Sequence, residues 1–282
     1  MKKAGIFFSL IFYAMRLFAQ QDNEPQNNDK KYQRLDLIRD DIELNIESQF
    51  VYWFENIESV TMYALNPNLT LEFVFMKNHS VKAGFGYTIS LNDNYDAGNK
   101  VYYSPNDINL SYEYLKQINN LNLFFGPQFT IPIAVTNEYI MREGVLSAGA
   151  GRYMAGVSFT ITGIRYPVVW NGEFSYKIGF PKEERFGMSW LPGIMRIYFG
   201  ISDLFNDRFG FSLGIQQNIT LPEIKNGHPI PDSLVFSSSI RAEIFALFEK
   251  DYVRLAVTIP AYPIETPVLF SIIYGHSFKD FS

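Results

Sequence analysis

Two histidines in the sequence stand directly before a serine, the pair of side chains that nucleophilic hydrolysis requires. The pairs are His276–Ser277 and His79–Ser80. A catalytic serine needs a histidine within hydrogen-bond reach and a third group that orients it. Neighbouring residues of a β-strand point to opposite faces, so neither pair forms such a dyad locally. The third histidine, His228, lies among turn-forming residues. We therefore predict no enzymatic activity and no catalytic residue.

Cofactor and metal sites have equally little support. Gly149, Gly151 and Gly156 suggest a phosphate-binding loop, but Met154 occupies the third glycine position and no strand-to-helix pattern follows. The chain has no cysteine and only three scattered histidines, so neither thiolate nor histidine-rich metal sites are expected. A net charge of -5 provides no basic field for nucleic acid. We predict no cofactor, no metal ion and no nucleic-acid partner.

The residues with the clearest chemical potential are charged side chains at alternate positions of apolar stretches. In the first half of the chain they are mainly acidic, with Lys82 as the exception: Glu43, Glu47, Glu72 and Glu113. Further on they are mainly basic, with Glu173 and Glu243 as exceptions: Arg152, Lys177, Arg196, Arg208, Arg241 and Arg254. On the inner face of a closed sheet, an acidic arc would face a basic arc, and the field between them would favour small polar or zwitterionic solutes. The alternative is that these charges pair across a lumen too narrow to conduct.

The elements that would position these charges are predicted by a two-residue repeat. From Ser80 to Asn92 the odd positions are apolar and the even positions small or polar: Val81, Ala83, Phe85, Tyr87, Ile89 and Leu91 against Ser80, Lys82, Gly84, Gly86, Thr88, Ser90 and Asn92. A strand therefore has one apolar and one polar face here. The repeat predicts strands near 42–50, 67–76, 80–92, 106–115, 121–133, 151–162, 168–180, 191–202, 208–221, 234–247, 252–260 and 267–278. Proline cannot donate to a ladder, so we expect a bend or bulge around Gly126 and Pro127.

The connections between these stretches alternate between short and long. Short links fall at every second junction: 77–78, 116–120, 163–167, 203–207 and 248–251. Most of the other links are longer and polar: 51–66, 93–105, 134–150, 181–190 and 222–233, with the last, 261–266, shorter. Short periplasmic turns and longer outer loops are typical of outer-membrane barrels. We predict an all-β fold, a single antiparallel transmembrane β-barrel of about twelve strands, or ten if the weak first stretch and the stretch with Pro127 are not strands.

These features resemble the bacterial outer-membrane β-barrel superfamily over residues Ile42 to Phe278. The resemblance implies a lipid-facing apolar surface, a polar lumen, and recognition by the outer-membrane assembly machinery. Members commonly end in an aromatic residue, whereas here Phe281 stands one place before the last residue, Ser282. The signal segment and the tail look similar to those of barrel proteins of spirochaetes or Bacteroidetes. Aromatic residues near strand ends are expected at the lipid–water interfaces: Tyr102, Tyr103, Tyr114, Trp190, Tyr252 and Tyr262.

The N-terminus has the layout of a secretory signal peptide. Lys2 and Lys3 precede an apolar run from Ile6 to Ala14, and cleavage is expected after the small residue Ala19. The run falls short of the ~20 apolar residues that span a bilayer. We predict three parts: a signal peptide over 1–19, a polar periplasmic arm over 20–41, and the barrel over 42–282.

Together these observations predict an exported outer-membrane protein of a Gram-negative-type envelope. The first functional hypothesis is a porin-like channel for passive diffusion or uptake of small polar solutes. The second is a non-conducting barrel whose outer loops act in adhesion or surface structure. The third is a soluble periplasmic β protein. The expected partners are the lipid bilayer of the outer membrane, the assembly machinery and small polar solutes.

Overall fold

The computed structural model describes residues 42–57, 60–94, 98–134, 151–165, 167–184, 187–206, 208–230, 233–248, 250–262 and 268–279. The predicted signal segment 1–19 and the polar arm 20–41 lie outside the described residues. Regular structure in the described part consists of β-strands. In this part there is no helix that is long and apolar enough to cross a membrane.

The strands follow one another along the chain with short and long connections in alternation. Their bounds are β1 Ile42–Ile57, β2 Val60–Phe75, β3 His79–Asn94, β4 Gly98–Pro105, β5 Ile108–Ile118, β6 Leu121–Ile131, β7 Met154–Arg165, β8 Val168–Gly179, β9 Lys182–Glu184, β10 Gly187–Trp190, β11 Ile194–Leu204, β12 Phe209–Thr220, β13 Ile224–Lys225, β14 His228–Pro229, β15 Val235–Leu247, β16 Asp251–Tyr262 and β17 Leu269–Lys279.

Twelve of these strands close into one antiparallel barrel. The order of pairing is β2-β1-β17-β16-β15-β12-β11-β8-β7-β6-β5-β3, and pairing of β2 with β3 completes the circle. Strand β4 pairs with the C-terminal half of β3, and β5 pairs with its N-terminal half. Because β4 and β5 lie along the same side of β3, β4 does not add a thirteenth strand to the circle. The prediction of an all-β, twelve-stranded antiparallel barrel is confirmed. Closure leaves no unpaired sheet edge, which is the condition for strands to span a bilayer.

The two faces of the barrel differ as the alternation predicts. Neighbouring residues of β2 illustrate it, since Phe73 is 46% exposed and Val74 is 0% exposed. In β3, Val81 and Phe85 are each 44% exposed, whereas Ser80 is 0% exposed. Large apolar side chains therefore cover the outside, and small or polar side chains pack inside. An exterior of this kind fits a hydrocarbon environment rather than water.

The ends of the barrel are distinguished by their connections. At one end, here called the short-turn end, the strands are joined by tight turns such as the one after β2. Met76 (φ 55°) and Lys77 (φ 58°) make that turn in the left-handed region, as does Asn119 (φ 52°) in the turn after β5. The opposite end, here called the long-loop end, carries the longer connections. The alternation of link lengths is thus confirmed for most junctions.

Two links that were expected to be long and polar are instead extensions of the barrel wall. The segment 51–66 is covered by β1 and β2, which pair as far as Ile57 and Val60. The segment 93–105 is largely strand β4, paired with the end of β3. The first segment was misassigned because residues 50–54 are apolar or aromatic at every position, which hides a two-residue repeat. These strands therefore project beyond the others at the long-loop end.

Of the bend or bulge expected around Gly126 and Pro127, the bulge is not found in the pairing of β6 with β5. Pairing of β6 with β5 runs from Ile108–Ile131 to Ser111–Gln128, is interrupted for two pairs, and resumes at Tyr114–Phe125 in the same register. The interruption lies where Pro127 has no N–H to donate. Gly126 allows the two backbones to approach here, because a Cβ on it would lie 1.8 Å from the carbonyl oxygen of Tyr112. The ladder thus has a local gap without a change of register.

Candidate functional site

The register of the barrel assigns one continuous set of positions to the interior. Lys82 pairs with Glu72 on one side and with Ser111 on the other. Directly opposed residues share a face, so this relation can be followed from strand to strand around the whole barrel. It puts the following predicted residues on the inner face: Glu47, Glu72, Lys82, Glu113, Glu173, Lys177, Arg196, Arg241, Glu243 and Arg254. For Glu43 the structure describes only the backbone pairing with Val74 and Lys279.

The acidic side of the interior contains an internal cation. The Lys82 ammonium lies 2.9 Å from a Glu113 carboxylate oxygen and 3.5 Å from one of Glu72. Side-chain exposures of 30% for Lys82, 12% for Glu72 and 15% for Glu113 show that this cluster packs against the wall. The lysine that departs from the acidic pattern therefore bridges the two carboxylates on either side of it.

The basic side shows a similar arrangement around Glu243. Arg241 Nη2 lies 2.8 Å from Glu243 Oε2, and Arg254 Nε lies 4.0 Å from Glu243 Oε1. Arg254 also lies over the ring of Tyr252, 4.5 Å from its centroid. The Tyr252 hydroxyl donates to Glu47 Oε2 at 2.6 Å. Tyr252, expected at a lipid interface, is thus an inward residue, and that expectation is corrected: in β16 it shares the face of Arg254.

Among the inward basic residues whose side chains the structure describes, Lys177 and Arg196 contact no carboxylate. Lys177 Nζ donates to Asn109 Oδ1 and Thr130 Oγ1, both at 3.1 Å. Arg196 is exposed to the lumen, and among the described residues it forms no hydrogen bond or ion pair. Glu173 lies on the same strand as Lys177 and accepts a 3.5 Å hydrogen bond from Asn171 Nδ2.

Arg152 and Arg208 differ from the prediction because neither lies on a barrel strand. Arg152 precedes β7, is 8% exposed, and pairs with Glu223 in the connection between β12 and β15. Its guanidinium also donates to Ser189 Oγ at 3.0 Å. Arg208 is an exposed residue of the turn before β12 at the short-turn end. The alternation continues in sequence past the strand ends, so it could not show where the strands stop.

A small second sheet at the long-loop end was not predicted. Strands β9, β10, β13 and β14 pair in the order β14-β13-β10-β9 and join two long connections. Ser189 of β10 is 1% exposed and donates to Glu223 Oε1 at 2.8 Å. Arg152 contacts both residues, so it fastens this sheet to the wall. The connections 181–190 and 222–233 read as polar loops because each strand in them has only two to four residues.

Asp107 forms a second set of stabilising hydrogen bonds at the long-loop end, and the sequence analysis did not single it out. It is 5% exposed. Its Oδ1 accepts hydrogen bonds from the amides of Ile133 (3.2 Å) and Ala134 (3.1 Å), and its Oδ2 accepts one from Gly151 (3.3 Å). The carboxylate therefore joins the two ends of the connection between β6 and β7. Asp107 precedes β5, where the inward face changes from even positions in β4 to odd positions in β5.

The inner residues surround two cavities of about 770 Å³ and about 260 Å³. The larger cavity is lined from β2 round to β12 and includes the Glu72–Lys82–Glu113 cluster and Lys177. The smaller is lined by Arg241, Glu243 and Arg254, among others. Thr162, Glu173 and Arg196 line both, so the cavities adjoin.

Apolar side chains also reach the interior near the short-turn end. Leu204, Phe245 and Leu247 form a buried cluster, with Tyr252 packed against it. Phe245 and Leu247 line the smaller cavity, so they form an apolar part of its wall. Gly210 gives Phe245 room, because a Cβ there would lie 2.4 Å from the end of its ring. This cluster narrows one side of the lumen.

His79 and His276 lie on the outer face of the barrel, where each contacts neighbouring side chains. His79 Nδ1 lies 2.6 Å from the hydroxyl of Tyr112, and the His79 ring stacks on Phe75 at 5.4 Å. His276 Nδ1 lies 2.7 Å from Asp251 Oδ1. Within the described residues, no group of three or more histidine, cysteine, aspartate or glutamate side chains could hold a metal ion.

Solved structures share this architecture. An outer membrane channel from Pseudomonas putida F1 superposes with a TM-score of 0.66 at 11% identity, over 86% of this chain and 97% of that one. The NanC porin superposes with a TM-score of 0.50 at 8% identity, over 83% of this chain and 98% of that one. No protein-family model and no curated protein matches the sequence. The chain therefore shares the β-barrel fold of these two solved structures.

Proposed function

We propose that this protein is an outer-membrane channel that lets small polar solutes diffuse through its lumen. The observation that carries the proposal is the polar, charged cavity of about 770 Å³ inside a closed barrel with an apolar exterior. A cavity of this kind offers hydrogen bonds and charges in place of a solute's hydration shell. Apolar solutes cannot use these hydrogen bonds and charges, so polar solutes are favoured.

The charge distribution supports the same solute class. The larger cavity has the Glu72–Lys82–Glu113 cluster on one part of its wall and Lys177 with Arg196 on another. Charges of opposite sign across a low-dielectric channel produce a transverse field, which orients dipolar and zwitterionic solutes. The predicted acidic and basic arcs are the basis of this part of the proposal.

A non-conducting surface barrel is the second candidate, and two observations favour it. The Leu204–Phe245–Leu247 cluster occupies part of the lumen near the short-turn end. At the other end, the small sheet is fastened to the wall through Arg152 and Glu223. A barrel closed by its own side chains and loops would act through its outer surface, as an adhesin or a structural protein.

Single-channel recording separates the two candidates. The protein, refolded in detergent and reconstituted in planar bilayers, is expected to give discrete conductance steps in 1 M KCl. Swelling of proteoliposomes in an isosmotic solution of a small neutral sugar provides a second readout. Absence of both channel events and swelling, with correctly folded protein in the membrane, would contradict the channel and favour the second candidate.

The proposal also includes the location and the partners. We place the barrel in the bilayer of the outer membrane, with the short-turn end in the periplasm and export directed by the segment 1–19. The outer-membrane assembly machinery would insert the barrel into that bilayer. Heat-modifiable migration on gels and recovery in the outer-membrane fraction test this placement, and recovery in the soluble periplasmic fraction would support the third hypothesis instead. We also propose that the protein has no enzymatic activity.

A further inference from the structure

The inner wall where the two cavities meet carries two neighbouring cations on adjacent strands. Lys177 of β8 pairs with Ile194 of β11, and Ser175 of β8 pairs with Arg196 of β11. Lys177 and Arg196 are therefore diagonal neighbours on the inner face, a relation that puts their backbones ~7 to 8 Å apart. At this separation two like charges repel each other. Such proximity of like charges is unfavourable unless an anion lies between them.

The hydrogen-bond partners of the two cations do not neutralise them. Lys177 Nζ is held by neutral oxygens of Asn109 and Thr130, and the Thr130 hydroxyl in turn donates to Asn109 Oδ1 at 2.9 Å. These contacts hold the ammonium in place without forming an ion pair. Arg196 is exposed and lines both cavities, and among the described residues no carboxylate lies within ion-pair distance of its guanidinium.

The nearest carboxylates have other roles or positions. Asp107 lines the larger cavity together with Lys177, but both of its oxygens accept backbone amides at the base of a long connection. Glu173 lines both cavities with Arg196 and, because it pairs in register with Tyr198, it is a diagonal neighbour of Arg196 just as Lys177 is. Glu173 thus supplies a negative charge next to the cation pair without forming a salt bridge to it.

We propose that Lys177 and Arg196 form a binding station for the carboxylate of a small solute at the junction of the two cavities. This inference rests on the proposed channel and specifies its solute class as small organic carboxylates. The planar guanidinium of Arg196 binds a carboxylate through two parallel hydrogen bonds, and the Lys177 ammonium adds a point charge. Because Glu173 lies alongside, a solute with an ammonium group near its carboxylate also fits the station.

Two solutes of similar size test the charge requirement. Gluconate and glucose differ chiefly in the carboxylate, so selective line broadening of gluconate in NMR spectra, recorded with the protein folded in detergent micelles, reports binding without any need for conductance. Broadening is expected for gluconate and not for glucose. Arg196→Gln is expected to weaken gluconate binding about tenfold, the effect of losing a charge-assisted pair of hydrogen bonds. Lys177→Gln is expected to act in the same direction and serves if the first variant does not fold.

Reversal potentials in a KCl gradient provide the second measurement. Arg196→Gln is expected to shift permeability towards cations, and Glu173→Gln towards anions. The matched control is Arg165→Gln, which removes the same charge from an exposed position at the end of β7, outside both cavities. The control is expected to leave both readouts unchanged.

The outcomes separate the station from the channel. Channels whose selectivity and gluconate binding are the same in Arg196→Gln and Arg165→Gln would overturn the station and leave the channel standing. Gluconate broadening that Arg196→Gln abolishes, in a protein that never conducts, would overturn the channel and support the station. Equal behaviour of gluconate and glucose with the unmodified protein would overturn the station directly.

Discussion

Replacing Lys82 with methionine removes the ammonium that two wall carboxylates share. The Lys82 nitrogen lies 2.9 Å from Glu113 and 3.5 Å from Glu72, and methionine keeps most of the side-chain volume. The two glutamates, 15% and 12% exposed, would then lie close together without their cation. Breaking a buried ion pair by removing one partner costs about 3 to 5 kcal/mol. Lys82 itself is 30% exposed to a polar lumen, so we expect a smaller loss of about 2 to 4 kcal/mol.

The free energy of unfolding is measured by urea titration of the protein in lipid vesicles, followed by heat-modifiable migration. The matched control is Lys116→Met, because Lys116 is an exposed residue near the end of β5. It is expected to change stability by less than about 0.5 kcal/mol. Adding Glu72→Gln and Glu113→Gln to Lys82→Met is expected to recover most of the loss, since neutral amides need no counter-charge.

Two results would refute the reasoning. If Lys82→Met is as stable as Lys116→Met, the ammonium does not stabilise the wall. If the loss is real but the two glutamine substitutions do not recover it, the lysine acts through packing of its methylene groups and not through its charge.

Three further predictions concern other parts of the barrel. Gly126→Ala would place a Cβ 1.8 Å from the Tyr112 carbonyl, so we expect a loss of about 2 kcal/mol or more by the same urea titration, and an unchanged stability would contradict the close approach. Asp107→Asn weakens the acceptor of three backbone amides. We therefore expect limited proteolysis within 135–150 to become several times faster, and the free energy of unfolding to fall by about 1 to 2 kcal/mol. Identical cleavage rates would show that the carboxylate does not hold this connection. Phe245→Ala removes the largest side chain of the apolar cluster in the lumen, so single-channel conductance is expected to rise. The loss of stability is expected to be smaller than the cost of the same substitution in a fully enclosed core, which is about 3 to 5 kcal/mol. An unchanged conductance would place the narrowest point of the lumen elsewhere.

The barrel could be predicted from the sequence because lipid and lumen impose opposite demands on successive residues. That constraint acts on each strand separately, so a count of alternating stretches, together with the alternation of short and long links, was enough to reach twelve strands. It fails where both faces take similar residues, as in 50–54, where strand and loop cannot be told apart by alternation. The bulge expected from Pro127 was a separate error. Two residue pairs between β5 and β6 are missing there, but the register does not change.

The candidate site was predictable only in part because alternation specifies a face and not a partner. Every predicted charge on a described barrel strand has an inward register position, yet the sequence could not show that Lys82 would bridge two glutamates. The contacts that Asp107 and Arg152 make at the long-loop end were not predicted for a different reason. Both depend on backbone and side-chain groups of long connections, which are close in space and distant in sequence. No local repeat contains that information.

Local pairing changes what the acidic and basic arcs can do to a solute. Lys82 lies between two carboxylates on one part of the wall. Glu243 lies between two guanidiniums on the other side. The transverse field is therefore weaker than a count of charged residues suggests. Arg196, which has no such partner among the described residues, lines both cavities together with Glu173, so these two side chains carry the charge where the cavities meet. A single substitution there should change selectivity more than any substitution within the paired clusters.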